Sequence, residues 1–407
     1  MNCPISRRLT TKAKCRVKIL EIRQKTFPIK SDIRNAVIDF SEMTVSVVAL
    51  VSDEVRDGKR VVGYGFNSNG RYGQSGLLEE RFFPRLWKAD QQGLLDDSGE
   101  NFSPSKIWQT LMKNEKPGGH GERAVAVGTV DMAVWDLVAK LEEKPLYQVL
   151  TERFGSGNGT NKKIWTYAAG GYYYPSGDID SLKREIQSYL DLGYRAVKIK
   201  IGGTSLEHDL RRIEAVLDLL PAGCTLAVDA NGRYSTSEAL LAAEALNSYQ
   251  LAWFEEPVDP NDYAGHAAVA EAYEGTIATG ENLLSARDAM NMVLHGGLKP
   301  NSSVLQMDPV LSYGIGEYLT MIDFVESFGW SRKTMVPHGG HQLNLAVAAG
   351  LGIGGCEAYP GVFKPFGGFA DGERVDNGYA SVSDEPGLGL EGKSELRKLL
   401  EMVASER

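Results

Sequence analysis

Three carboxylates, Asp229, Glu255 and Glu281, are evenly spaced along the chain, 26 residues apart (229 to 255, 255 to 281). Each falls late in a short apolar run: TLAVDANG, LAWFEEP and TIATGEN. Carboxylates brought together repel and take up protons unless a cation neutralises them. An all-oxygen donor set suits Mg²⁺ or Mn²⁺ better than zinc. Paired with Lys and Arg instead, the same three would form an ordinary charged rim.

Other ionisable residues occupy the same place in neighbouring runs. Lys198 and Lys200 lie in AVKIKIG, so strand alternation turns both to one face. Two ammonium groups that close, near a divalent cation, should lower one lysine's pKa toward use as a base. Asp308 ends SVLQMDP and His338 falls in KTMVPHGG; together they make a dyad in which the carboxylate holds the ring tautomer. Glu357 lies in GCEAYPG. His338 and His341 could be taken for a zinc pair, but no third nitrogen or sulfur ligand accompanies them. The glycines from Gly350 to Gly355 follow a helical pattern and precede a strand, the reverse of a dinucleotide-binding loop.

These positions require a scaffold. From Ile164 to about Pro360 the chain alternates eight short apolar runs (IWTYAAGG, then those above in order) with seven helical patterns such as SLKREIQSYLDL and SEALLAAEALNS. That is the rhythm of an α/β fold with a parallel sheet. Eight even units favour a closed (β/α)₈ barrel over a doubly wound open sheet. In such a barrel the late strand positions line the mouth, which explains repeated charges in segments that otherwise prefer apolar residues.

Ahead of the barrel, VKILEI, MTVSVVALVSD and RVVGYGF read as a small antiparallel sheet, and about Leu78 to Leu150 as helices. The loops PIKSDIRNAVID and NSNGRYGQ are polar and suited to specificity, with Asn35, Asn69 and Tyr72 as candidates to cap a site. Lys116, in the glycine-flanked KPGGHGER, is a candidate cation for the far end of a diacid. The expected division is a basic tail over 1–16, an α+β capping domain over 17–155, the barrel over 156–360, and a C-terminal segment over 361–407 that packs back on the cap. The tail could instead be an organelle-targeting leader.

Bulk properties bound the function. The 407 residues are 43% hydrophobic and 24% charged, ordinary for a soluble globular protein. A net charge of −9 argues against a nucleic-acid binder, and no apolar run suffices for a membrane span. Cys3, Cys15, Cys224 and Cys356 are scattered, with no CxxC pair, which fits reduced thiols in the cytoplasm.

In combination and order, AVKIKIG, VDANGRY, WFEEP, TGEN, LQMDP, VPHGG and CEAYP resemble the enolase superfamily, specifically its mandelate racemase subgroup; VDMAVWDLVAK resembles that family's N-terminal domain. The resemblance implies a modified TIM barrel with a capping domain and one Mg²⁺ on Asp229, Glu255 and Glu281. It also implies an enolate stabilised by that ion and Glu357, and a homo-oligomer, often an octamer. Lys200 would take the proton α to a carboxylate, Lys198 would tune it, and His338 would assist loss of the β-hydroxyl. Asn231 and Asn282, beside metal ligands, would support the site. The expected reaction is dehydration of an acid sugar, D-tartrate to oxaloacetate. Alternatives are another aldonate or aldarate, a mandelate-type racemisation, or a barrel that binds an acid without turnover.

Overall fold

β-Branched and aromatic residues early in the chain form a three-stranded antiparallel sheet in the order β1 (Ile19–Pro28), β2 (Thr44–Arg56), β3 (Lys59–Phe66). The structure, a computed structural model, describes residues 17–405 except 30, 156, 158, 159, 175, 176 and 301; the expected basic tail lies outside the described residues. β2 is buried on both faces. Val45, Val47 and Ala49 join an apolar cluster continuous with the barrel, while Val48 and Leu50 join a second with Leu78, Phe82 and Val130.

The helix Glu122–Leu141 packs on β2 and β3 and is buried from Ala124 to Ala139, which is why its sequence is apolar nearly all round. At Gly128 the helix backbone meets the turn after Asp308. A Cβ there would lie 1.9 Å from the Val310 carbonyl oxygen.

Strands β4 (Lys163–Ala169), β5 (Ala196–Lys200), β6 (Thr225–Asp229), β7 (Phe254–Glu255), β8 (Ile277–Thr279) and β9 (Val304–Leu305) run parallel in sequence order, with β10 (Cys356–Ala358) beside β4. Seven helices, from Asp178–Asp191 to Gln342–Leu351, fall between the runs as their periodicity predicts. Serine caps start several of them; Ser235 and Glu238 form a reciprocal capping box.

The seventh run is not a regular strand. It makes one bridge, Leu305 to Met335, because Pro337 has no N–H to donate. It nevertheless closes the ring. Val336 N donates to Leu305 O (2.8 Å), His338 N to Gln306 O (3.2 Å), and Glu357 N to Pro337 O (3.2 Å).

The C-terminal segment reaches both parts of the molecule. Its helix Ser394–Ser405 packs on β1 and β2, and β11 (Tyr379–Ser381) adds antiparallel to β4. No helix among the described residues is long and apolar enough to cross a membrane.

Candidate active site

Register builds the centre of the site. Lys200 is paired with Asp229 across β5 and β6, and Asp229 with Glu255 across β6 and β7, so three ionisable residues share one level of the barrel. Glu281 follows two residues after β8. One oxygen from each of Asp229, Glu255 and Glu281 lies within 4.8 Å of the others.

The carboxylates are held from behind. Asp229 Oδ1 accepts from Asn231 N (2.8 Å), while Glu255 Oε2 accepts from Trp253 Nε1 (2.8 Å) and Gln306 Nε2 (2.7 Å). Burial, with Asp229 beside it, pushes Glu255 up to about 7 despite Lys198. Burial also opposes the charge on Asp229, but Lys200 and Lys198 outweigh it and hold that group at about 2. The triad is therefore able to hold a metal ion: it is buried, all-oxygen, crowded and aimed at one point.

A fourth carboxylate was missed in the sequence. Glu256 is fully buried, has φ +39°, and accepts from Asn282 Nδ2 at 3.0 and 2.8 Å. Burial, then Glu281 and Asp229, push it well above the usual carboxylate range. The doubled glutamate of WFEEP was the signal. Strand alternation would have driven one of the pair into the apolar helix layer, so the backbone has to turn there.

Lys198 Nζ lies 2.5 Å from Glu255, 2.8 Å from Glu357 and 3.5 Å from Asp229; Lys200 Nζ lies 2.5 Å from Asp229. The expected lowering of a lysine pKa belongs to the site with its cation bound. Burial disfavours both ammonium groups, yet the facing carboxylates outweigh it and raise both. Attraction to carboxylates at 2.5 Å exceeds the repulsion between the two lysines.

His338 stands at the other end of the carboxylate row. Its Nε2 is 3.4 Å from Glu281 and 3.8 Å from Glu357, and its Nδ1 is 3.3 Å from Asp308. Burial opposes its protonation, but Glu281, Glu357 and Asp308 raise it to about 9. Glu357 Oε2 also accepts from Gly339 N (2.9 Å). His341 is not aimed at the triad; its Nε2 lies 3.0 Å from Ser68 Oγ.

Above these groups is a cavity of about 250 Å³ lined by Asn35, Asn69, Arg71, Tyr172, Lys200, Asn231, Glu281, Asn282, His338 and apolar neighbours. Both predicted loops thus reach the mouth. Asn35 serves its own loop as well, accepting from Val37 N and Ile38 N. Tyr72 and Lys116 do not line this cavity: both are exposed. Arg71 does line it, and its guanidinium donates to Asn282 Oδ1. An outer cleft of about 570 Å³ shares Arg71, Pro260 and Asn282 with the cavity and is lined by Gly118, Gly119 and Gly121, close in the chain to Lys116.

Residues 181–396, just over half the chain, match the family model described as enolase C-terminal domain-like. The chain belongs to the enolase superfamily. Among curated relatives in this superfamily, arabinonate dehydratase of Saccharolobus solfataricus is 28% identical over 84% of this chain and 87% of its own. The 3,6-anhydro-alpha-L-galactonate cycloisomerase of Streptomyces coelicolor is 29% identical, over 87% of this chain and 90% of its own. The superfamily fold is also seen in the crystal structure of L-talarate/galactarate dehydratase from Salmonella typhimurium LT2, liganded with Mg and L-lyxarohydroxamate. That structure superposes with a TM-score of 0.74 at 22% identity, covering 95% of this chain and 93% of that one.

Proposed function

We propose that this protein is a Mg²⁺-dependent acid-sugar dehydratase, a hydro-lyase, that converts D-tartrate to oxaloacetate. One observation carries the reading. Lys200 and His338 flank the carboxylate row at opposite ends, one against Asp229 and the other against Glu281, and both line the same cavity. That is the disposition needed to take a proton from one side of a bound acid and deliver one to the other.

Asp229, Glu255 and Glu281 would hold the ion. When bound, it supplies positive charge against the developing enediolate and offsets the carboxylates that otherwise engage the lysines. Lys200 Nζ removes the C2 proton, and the C–H electron pair moves into the adjoining carboxylate. His338 Nε2 gives its proton to the C3 hydroxyl as the C–O bond breaks, so water leaves and the enol tautomerises to the 2-keto acid. Lys198 would meet the reacting carboxylate beside the ion, while Glu357 anchors Lys198 and the Gly339 backbone and Asp308 orients the imidazole. Asn231 and Asn282 brace Asp229 and Glu256.

The cavity has room for a small diacid and is lined by Arg71 as well as by Lys200 and His338. Arg71, or Lys116 swung in on its glycines, would meet the distal carboxylate, with Asn35, Asn69 and Tyr72 covering the mouth. A cytoplasmic homo-oligomer, up to an octamer, completes the reading: the free thiols Cys224 and Cys356 support the compartment and family resemblance the assembly.

The test is a screen of the Mg²⁺-loaded protein against the tartrate stereoisomers, galactarate, L-talarate, arabinonate and gluconate, with keto acid trapped by semicarbazide. D-Tartrate should give oxaloacetate. Preference for a longer acid would overturn the substrate, and metal binding without turnover of any acid would favour a non-catalytic barrel.

A further inference from the structure

We infer that Ser68, on the loop after β3, is a positioning residue that sets the orientation of His338 through Asp308, and so governs the hydroxyl-loss half of the reaction. The inference rests on the dehydratase reading and extends it to a residue outside the barrel.

The hydrogen bonds run in one direction. Asp308 can only accept, so Ser68 Oγ donates to its Oδ2 (2.6 Å). That leaves Ser68 Oγ to accept from His341 Nε2–H at 3.0 Å, which defines the His341 tautomer. Asp308 Oδ2 is also the oxygen that faces His338 Nδ1 (3.3 Å), while Oδ1 is taken by Val310 N (2.8 Å). Ser68 and His338 therefore share one carboxylate oxygen. The direction from which the hydroxyl approaches decides which lone pair is left for the imidazole, and with it where Nε2 points.

The surroundings hold Ser68 in place. It has φ +57°, a conformation that favours glycine, yet it carries a side chain whose oxygen makes two buried hydrogen bonds. Asn67 Oδ1 accepts from Ser46 N (2.6 Å), and Asn69 Nδ2 donates to Gly339 O (2.6 Å), pinning both sides of Ser68. At Gly339 a Cβ would lie 2.5 Å from Asp308 Oδ2 and 2.8 Å from Ser68 Oγ, so this junction has no slack.

Two substitutions separate the hydroxyl from the backbone. Ser68→Gly accepts the positive φ and deletes the hydroxyl; Ser68→Thr keeps the hydroxyl and suffers at that φ. Each Mg²⁺-loaded variant is given D-tartrate in D₂O, and keto-acid formation, KM and deuterium entry at C2 of recovered substrate are measured. With Ser68→Gly, kcat for elimination should fall about 10–100-fold, KM should stay within about twofold, and deuterium entry per turnover should rise because Lys200 still works. Relief of the positive φ should offset part of the two lost hydrogen bonds, so the protein should stay folded with only a modest drop in melting temperature. Ser68→Thr should melt lower yet keep the wild-type ratio of exchange to elimination. Wild-type elimination in Ser68→Gly, or a fall in kcat matched by lost exchange and lost stability, overturns the inference. The low-field imidazole N–H resonance of ¹⁵N-labelled His338 should also shift in Ser68→Gly. This readout needs no turnover, so an unshifted resonance sinks the positioning role, whereas a shifted one in a protein inactive on every acid sinks only the dehydratase reading.

Discussion

Lys198 and Glu357, from the second and eighth positions of the barrel ring, meet at 2.8 Å with neither side chain exposed. Lys198 also stands 2.5 Å from Glu255, so one ammonium serves two buried carboxylates. Removing one partner of such a pair leaves an uncompensated buried charge, which typically costs about 3–5 kcal/mol. Lys198→Met should therefore melt well below wild type without metal, and Mg²⁺ should recover part of the loss. Thermal melts with EDTA and with Mg²⁺ measure both, and an unchanged melt in EDTA contradicts this account of Lys198.

Lys200 is assigned the C2 proton. Lys200→Ala should lose about 10²–10⁴-fold in keto-acid formation, with C2 deuterium exchange falling in parallel and KM little changed. Wild-type turnover and exchange in that variant would remove Lys200 from the role.

The distal carboxylate distinguishes Arg71 from Lys116. Arg71 lines the cavity, whereas Lys116 is exposed, with only its carbonyl engaged, by Arg123 at 3.0 Å. Loss of a charge-assisted hydrogen bond costs roughly 1.5–3 kcal/mol. Whichever residue binds the acid should raise KM for tartrate about tenfold or more on change to Met. If neither Arg71→Met nor Lys116→Met alters KM or kcat, the distal cation is a different residue.

His266, on the helix Tyr263–Ala272, is fully buried with neither ring nitrogen hydrogen-bonded. Burial lowers its pKa to about 4, against weaker opposing pulls from Asp262 and Asp259. The unfolded chain, titrating near 6.5, binds more protons between these values. The neutral ring's contribution is thus fully present above pH 6.5 and is lost as pH falls toward 4, on the order of 3 kcal/mol in all. Urea unfolding should give a steeper loss of stability from pH 7 to 5 in wild type than in His266→Leu. Parallel curves would mean that His266 does not titrate in this window.

Gly128→Ala sets two effects against each other. Helix propensity favours alanine by about 1 kcal/mol, but its Cβ would meet the Val310 carbonyl at 1.9 Å, and neither backbone can yield. A net destabilisation of about 1–3 kcal/mol or more is expected. Because Val310 N donates to Asp308, kcat should fall as well. A variant as stable and active as wild type would show that the helix and this turn can move apart.

Much of the site was legible because barrel chemistry is written at one recurring position. Asp229, Glu255, Lys200 and His338 stood out as charges in runs that should be apolar, and parallel register then brings late-strand residues to one level. Glu256 escaped notice because its place depends on a backbone turn at φ +39° that alternation does not foresee.

The sequence by itself determined the order of runs and helices and set Asp229, Glu255, Lys200 and His338 late in their runs, because these follow from local periodicity and residue type. Only the tertiary structure decided that Ser68 joins His341 to Asp308, that Arg71 and not Lys116 lines the cavity, and that the seventh run closes the ring without forming a regular strand. Those outcomes depend on contacts between segments as much as 273 residues apart. Such contacts are settled by how the cap loops pack on the barrel mouth, which no local pattern encodes.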